Sequence, residues 1–229
     1  MSCGMFGKLP LKRDFVSVNT PREFLHAWEA WLQGGVSASR LKLGSNWQQV
    51  YLSAPIWRFW LGPGICGYPV IGSFMPSIDG VGRYFPLTAY FCAGPDEIIP
   101  APPENPQDNW HGLVEDFLLD ALDSTSDYDN VLAALTALPN PALAPAAEID
   151  PADISLFGAH TRRAETIEGL PEALKTLLTE RQERIFSNAS FWWTIGGDGF
   201  DPHAAMAEGL PDPNIMSGML TGRFEQDLG

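Results

Sequence analysis

The chain has 229 residues, 45% apolar and 18% charged, a composition that suits a folded domain with a substantial core and excludes an intrinsically disordered one. Its formal net charge is −14, unevenly placed: residues 1–95 hold eight Lys/Arg against four Asp/Glu, and residues 96–229 hold six against twenty-four. The acidic half cannot contact phosphate backbones favourably, and no run of eighteen apolar residues is present to cross a bilayer, so nucleic-acid binding and membrane insertion are not expected.

A first strand is expected near Met5–Leu9. A helix follows, with Thr20 as cap, Pro21 in its first position and Glu23 closing a capping box with Thr20. Its apolar face would be Phe24, Leu25, Trp28, Trp31 and Leu32, and Gly34-Gly35 would stop it. A short helix at Asn46–Leu52 precedes three apolar strands, Ile56–Leu61, Val70–Met75 and Leu87–Cys92. The turns between them are too short for parallel crossovers, so these strands should be antiparallel neighbours. On the first of them Trp57 and Phe59 alternate with Arg58 and Trp60, which puts Arg58 and Trp60 on one sheet face.

Gly94–Pro106 reads as a proline-rich loop. Asn105-Pro106 then start a helix with Trp110, Leu113, Val114, Phe117 and Leu118 on one face, and Tyr128–Leu138 presents Val131, Leu132, Leu135 and Leu138. Pro139–Asp153 is an alanine- and proline-rich linker or surface loop, followed by a strand at Ile154–Phe157. Pro171–Phe186 reads as a helix with Leu174, Leu177, Leu178 and Ile185 inward and Glu180 paired with Arg184. Phe191–Ile195 reads as the last strand, ended by Gly196-Gly197, and Pro213–Leu220 as a closing helical turn. Trp192 and Trp193 adjoin on that strand and therefore face opposite sides, one toward the core and one available as a contact residue. Strands in the first half with helices around them predict an α/β fold, a largely antiparallel (mixed) sheet covered on both faces. The chain reads as one domain over 1–229, with an acidic, helix-rich second half over 96–229.

Met75-Pro76-Ser77-Ile78-Asp79-Gly80-Val81-Gly82-Arg83-Tyr84-Phe85-Pro86-Leu87-Thr88 is the densest stretch. Pro76, Gly80 and Gly82 predict a tight loop, across which Asp79 and Arg83 can close as an ion pair. That pair either staples the loop or belongs to a site. Elsewhere the usual chemical signatures are missing. There is no P-loop, no Gly-x-Ser-x-Gly elbow, no His-Glu-x-x-His and no Cys-x-x-Cys, so no cofactor is expected. Asp198, Asp201 and His203 make only a weak cation site, and His26, His111 and His160 have no local partner. The N-terminal residues lack the regions of a secretion signal, and Cys3, Cys66 and Cys92 lack metal-type spacing, which fits reduced thiols in a cytoplasm.

Together with Gly7-Lys8-Leu9-Pro10, Asp14-Phe15-Val16, Trp47-Gln48-Gln49-Val50-Tyr51 and Ala54-Pro55-Ile56-Trp57-Arg58-Phe59, the loop resembles the TagF (ImpM) family, accessory proteins of bacterial type VI secretion. The resemblance runs from about Gly7 to Thr88 and weakly through Ser190–Thr194; Arg13 stands before Asp14 where the family usually has glycine. It implies a three-layer α/β/α sandwich with a likeness to longin-type interaction folds. It also implies a non-enzymatic cytoplasmic regulator that restrains secretion post-translationally, in a phosphorylation-linked pathway, by binding a forkhead-associated scaffold protein. If the shared blocks carry the contact, the candidates are Ser77, Asp79, Arg83 and Tyr84, with Lys8 and Asp14 beside them. Two other readings stay open: a small hydrolase or phosphate-handling enzyme using Asp79, Arg83 and Lys8, and a structural subunit of the secretion apparatus.

Overall fold

The computed structural model describes residues 2–94, 97–123, 127–145, 154–156, 159–161, 166–167, 170–197 and 199–224. In chain order the elements are β1 (Gly4–Gly7), β2 (Val16–Val18), α1 (Arg22–Leu43), α2 (Trp47–Leu52), β3 (Trp57–Leu61), α3 (Pro63–Cys66), β4 (Val70–Met75) and β5 (Leu87–Cys92). There follow β6 (Glu97–Ile98), α4 (Asp108–Ala121), α5 (Tyr128–Ala137), β7 (Ala144–Pro145), β8 (Ile154–Leu156), β9 (Ala159–Thr161), α6 (Leu170–Ser187), β10 (Ala189–Thr194), β11 (His203–Glu208) and α7 (Ile215–Thr221).

Seven strands form one sheet in the order β11-β10-β3-β4-β5-β1-β2, and every neighbouring pair is antiparallel. At its centre β4 and β5 bury every residue, which is why they read as continuous apolar runs rather than alternating ones. On one face Phe24, Trp28, Trp31 and Leu32 of α1 pack with α2, α7 and the sheet residues Trp57, Phe59, Phe74 and Trp192. On the other, Trp110, Val114, Phe117 and Leu118 of α4, with Val131 and Leu135 of α5, cover Met5, Ile71, Leu87 and Phe91. The result is the expected α/β/α layering on an antiparallel sheet.

Several local expectations are corrected. Gly34-Gly35 does not stop α1, which runs on to Leu43. Here α7 crosses so closely that a Cβ on Gly35 would lie 2.8 Å from Met216 Cε, and one on Gly34 3.1 Å from Pro213. Close helix approach outweighs the propensity cost of about 1 kcal/mol per helical glycine. The capping box is also absent: Pro21 is the cap, and the Thr20 hydroxyl instead accepts hydrogen bonds from Tyr90 (2.6 Å) and Ser17 (2.9 Å). The first strand ends at Gly7, two residues early.

In α4, which starts at Asp108 rather than at Asn105-Pro106, Leu113 faces solvent and His111 takes the buried place. The proline-rich loop contains β6, paired with β7, and β8 pairs with β9 in a ribbon of its own. Leu174, Leu178 and Ile185 of α6 are exposed rather than inward. Leu177, Glu180, Arg184 and His160 belong to side chains outside the described set, as does Asp198. Finally, β10 is not the last strand. The edge strand β11 follows it in register, Trp192 opposite Ala205 and Thr194 opposite His203.

Filling the α1–α7 contact should therefore be costly. Gly35→Val is expected to lose about 1–3 kcal/mol by overpacking against Met216. Gly112→Ala, at a helical position where a Cβ meets nothing within 4 Å, should gain up to about 1 kcal/mol. Urea unfolding of both variants tests the pair; a Gly35→Val protein as stable as the parent refutes the close-approach account.

Candidate functional site

Between β4 and β5 the chain folds into a knot. Ile78 and Tyr84 form a bridge, Phe85 N–H donates to the Ser77 carbonyl (3.1 Å), and Asp79 N–H donates to the Arg83 carbonyl (3.0 Å). Gly82 takes φ +82°, a conformation that side chains disfavour. Gly80 N–H donates to the Lys12 carbonyl (2.9 Å), and a Cβ on Gly80 would lie 2.8 Å from the Pro10 carbonyl oxygen. The turn residues thus let this loop close against the segment that follows β1.

The Asp79 carboxylate occupies the centre. Its Oδ2 accepts from Lys8 Nζ (2.5 Å) and Arg83 Nε (2.6 Å), and its Oδ1 from the backbone N–H groups of Arg83 (2.8 Å) and Val81 (3.1 Å). Asp79 is 2% exposed and Lys8 5%. Burial alone would raise the Asp79 pKa, but the Lys8 ammonium and then the Arg83 and Val81 donors outweigh it and hold the carboxyl well below the usual range. Arg83 also donates through Nη2 to the Arg13 carbonyl.

The other sequence candidates divide cleanly. Ser77 is buried; its hydroxyl donates to the Lys8 carbonyl (2.6 Å), and its backbone exchanges hydrogen bonds with the Tyr51 hydroxyl. Tyr84 packs edge-on against Trp47 and Tyr51, with the Arg40 guanidinium 4.3 Å from the Trp47 ring centroid. Lys8, Ser77, Asp79, Arg83 and Tyr84 are therefore brought together. Asp14 is exposed and takes no part in the Asp79 hydrogen bonds. Trp192 is fully buried against Trp28, Trp31 and Phe59, whereas Trp193 lies half-buried on the other face beside His111.

What the knot offers outward is Arg83 together with two side chains that were not sequence candidates. The Arg83 side chain is 57% exposed, Val81 55% and Phe15 45%. Phe15 is fixed by stacking on Phe6 and by an edge contact to Phe85 (4.8 Å), with Lys8 Nζ 5.0 Å from its ring centroid. An exposed cation and two part-exposed apolar side chains on braced connections can bind, while the carboxylate beneath has its lone pairs committed to four donors.

A second polar cluster was not a sequence candidate. Arg58 on β3 reaches Glu115 through Nε (2.5 Å) and Nη2 (3.1 Å) and Asp108 through Nη1 (2.8 Å). Beside it the buried Ser73 hydroxyl lies 3.0 Å from His111 Nδ1, and His111 Nε2 has no hydrogen-bond partner among the described residues. The available signal was the spacing of Asp108, His111 and Glu115, a polar stripe along the face of α4 that meets Arg58. Burial first and Arg58 second push the His111 pKa down to about 3. Among the described residues no three His, Cys, Asp or Glu gather as metal ligands; His203 Nδ1 and the Asp201 carbonyl meet at 2.7 Å.

Two outcomes follow. Asp79→Asn leaves the buried Lys8 ammonium without its counter-charge and should cost about 3 kcal/mol, while Lys8→Met/Asp79→Asn should lose less than the two single changes added together. Strict additivity in chemical denaturation refutes the coupling. For His111, the unfolded imidazole gains a proton below pH 6.5 and the folded one only near pH 3. Stability from the neutral ring is thus complete above pH 6.5 and drains away between 6.5 and 3. The slope between pH 6.5 and 5 should approach about 1.4 kcal/mol per pH unit and flatten in His111→Asn. An equal slope in both proteins would exclude His111 as its source.

The fold and the loop have counterparts in known proteins. The family model of the TagF N-terminal domain, described as type VI secretion system-associated, matches residues 4–138, a span that includes the whole Asp79 knot and excludes Trp192 and Trp193. No curated protein sequence matches the chain. Among solved structures, the crystal structure of PA0076 from Pseudomonas aeruginosa PAO1 superposes with a TM-score of 0.77 at 33% identity, covering 98% of this chain and 96% of that one. No described helix is long and apolar enough to cross a membrane. On this likeness in sequence and in fold, the chain belongs to the TagF family of type VI secretion-associated proteins.

Proposed function

We propose that this protein is a non-enzymatic cytoplasmic regulator that restrains type VI secretion post-translationally by holding the system's forkhead-associated scaffold protein. The contact face in this proposal is the outer side of the Asp79 knot: Arg83, Val81, Phe15 and the backbone around Arg13. One observation carries the choice of holding over catalysis. Both Asp79 oxygens already accept hydrogen bonds from within the fold, so the carboxylate serves to fix the loop instead of accepting a substrate proton. Binding residues on loops braced by a rigid scaffold lose little entropy on association. The exposed guanidinium suits an acidic or phosphorylated partner surface, and the segment that closes against its loop carries three further basic residues, Lys8, Lys12 and Arg13.

Arg83 supports the loop as well as facing outward, so Arg83→Ala alone would confound folding with binding. Val81→Glu and Phe15→Glu change exposed side chains instead. Each should weaken binding of the purified scaffold at least tenfold in calorimetry; Val81→Glu should leave the thermal midpoint within about 2 °C of the parent, whereas Phe15→Glu, which also gives up the ring contacts to Phe6 and Phe85, should lower it by several degrees. Arg83→Ala should abolish binding. Undiminished affinity in both glutamate variants would move the contact elsewhere. Turnover of a phosphoester or ester panel by the parent, lost in Asp79→Asn at a temperature where that variant still precedes its unfolding transition, would replace the proposal with an enzymatic one.

A further inference from the structure

The α4–α5 hairpin carries a groove of about 450 Å³ that plays no part in the proposal above. Phe117 and Ala121 from α4 and Val131 from α5 form its floor, with Leu138 at one end. Along one wall α4 presents Leu113, Asp116 and Asp120, spaced i, i+3 and i+7. Along the other α5 presents Asn130, Ala134 and Ala137, all exposed, whose short side chains leave the trough open. Leu113 is 47% exposed at its lip, and Leu119, on the same helix, 54%. The size lies within the usual range of about 300–1,000 Å³ for ligand and anchor-residue pockets.

Charge specifies the occupant. Between Arg83 and Arg162 the chain contains no Lys or Arg, so the whole hairpin is built from a segment without a basic side chain. The groove wall itself carries Asp116 and Asp120, with Asp123 and Asp129 on the same hairpin. An apolar trough bounded by two helices offers no free strand to extend, but it matches the apolar stripe of a third helix. We infer that the α4–α5 groove docks an amphipathic helix of a partner protein, its leucine-like stripe seated between Leu113 and Ala134 and its flanking Lys/Arg facing Asp116 and Asp120. A second copy of this chain fits poorly, since its net charge is −14 and the hairpin has no basic residue to give. The inference stands whether or not the Arg83 face binds a scaffold.

The probe is a labelled fourteen-residue Leu/Lys amphipathic helix, with the matching Leu/Glu peptide as its control. On isotope-labelled full-length protein the Leu/Lys peptide should shift amides of α4 and α5 selectively. Its affinity should fall with added salt, and the Leu/Glu peptide should not bind. Ala134→Trp, which fills the trough from an exposed position, and Asp116→Lys/Asp120→Lys should each weaken binding at least tenfold with unchanged thermal midpoints. Shifts spread over the other acidic surfaces would overturn the proposal, as would equal binding of both peptides. So would full affinity in Ala134→Trp, or a dimer in sedimentation that Ala134→Trp dissolves.

Discussion

A carboxylate removed from water must find its full complement of donors or it will destabilise the fold, and Asp79 finds four. Two come from its own loop's backbone, one from a neighbouring arginine, and one from Lys8, seventy-one positions earlier in the chain. The last of these ties the end of β1 to the β4–β5 connection. It also restricts how β1 can pair. In the observed register Gly7 faces Leu87 with φ +137°, and a Cβ there would lie 2.1 Å from the Pro86 carbonyl oxygen. A slip of one residue would put a side chain into that contact and turn Lys8 away from Asp79. The ion pair thus acts on specificity of pairing more than on net stability, the role best attested for buried charges.

The two faces of the sheet are held by different physics. Under α1 the contact is almost entirely aromatic: Trp28 stacks on Phe59 at 4.2 Å and lies parallel to Trp192 at 5.7 Å, and its indole N–H donates to Thr88 (2.9 Å). Such rings bury large areas and meet the requirement for a polar partner locally. Under α4 the apolar layer is interrupted by Arg58, Ser73 and His111, so that face relies on an ion pair and a neutral imidazole. Of the two faces, it is the α4 side that holds the imidazole whose protonation the fold resists. An acid-weakened α4 would also loosen the hairpin it forms with α5.

Val70–Met75 and Leu87–Cys92 were readable to the residue because both sheet faces are covered there, giving unbroken apolar runs between glycine and proline turns. The Asp79–Arg83 pair was readable for a similar reason, since its spacing and turn residues are local. Lys8 as the counter-charge was not fixed by spacing, because it depends on β1 lying beside β5. Gly34-Gly35 misled for the opposite reason: a helix-stop signal was overridden by α7 packing from nearly two hundred residues away. His203–Glu208 escaped notice because Ala204, Ala205 and Ala207 lack the β-branched or aromatic character that marks strands. His111 exchanged places with Leu113 because α4 had to present polar groups to Arg58.

The sheet edges narrow where a partner can sit. At one end β2 has three residues, too few to template an added strand well. At the other, β11 is longer, but Pro202 and Pro211 bracket it. Its exposed row is Ala204, Met206 and Glu208, in which Met206 (52% exposed) is the one large apolar side chain an added strand could meet. Backbone pairing at either edge would gain few side-chain contacts to set specificity. The braced loop and the helical hairpin differ in sign and in shape: one offers an exposed guanidinium, the other an apolar trough with a carboxylate wall. A partner that displayed both an acidic patch and a basic amphipathic helix could engage the two at once. Each contact would then raise the effective concentration of the other, with no need for either to be strong alone.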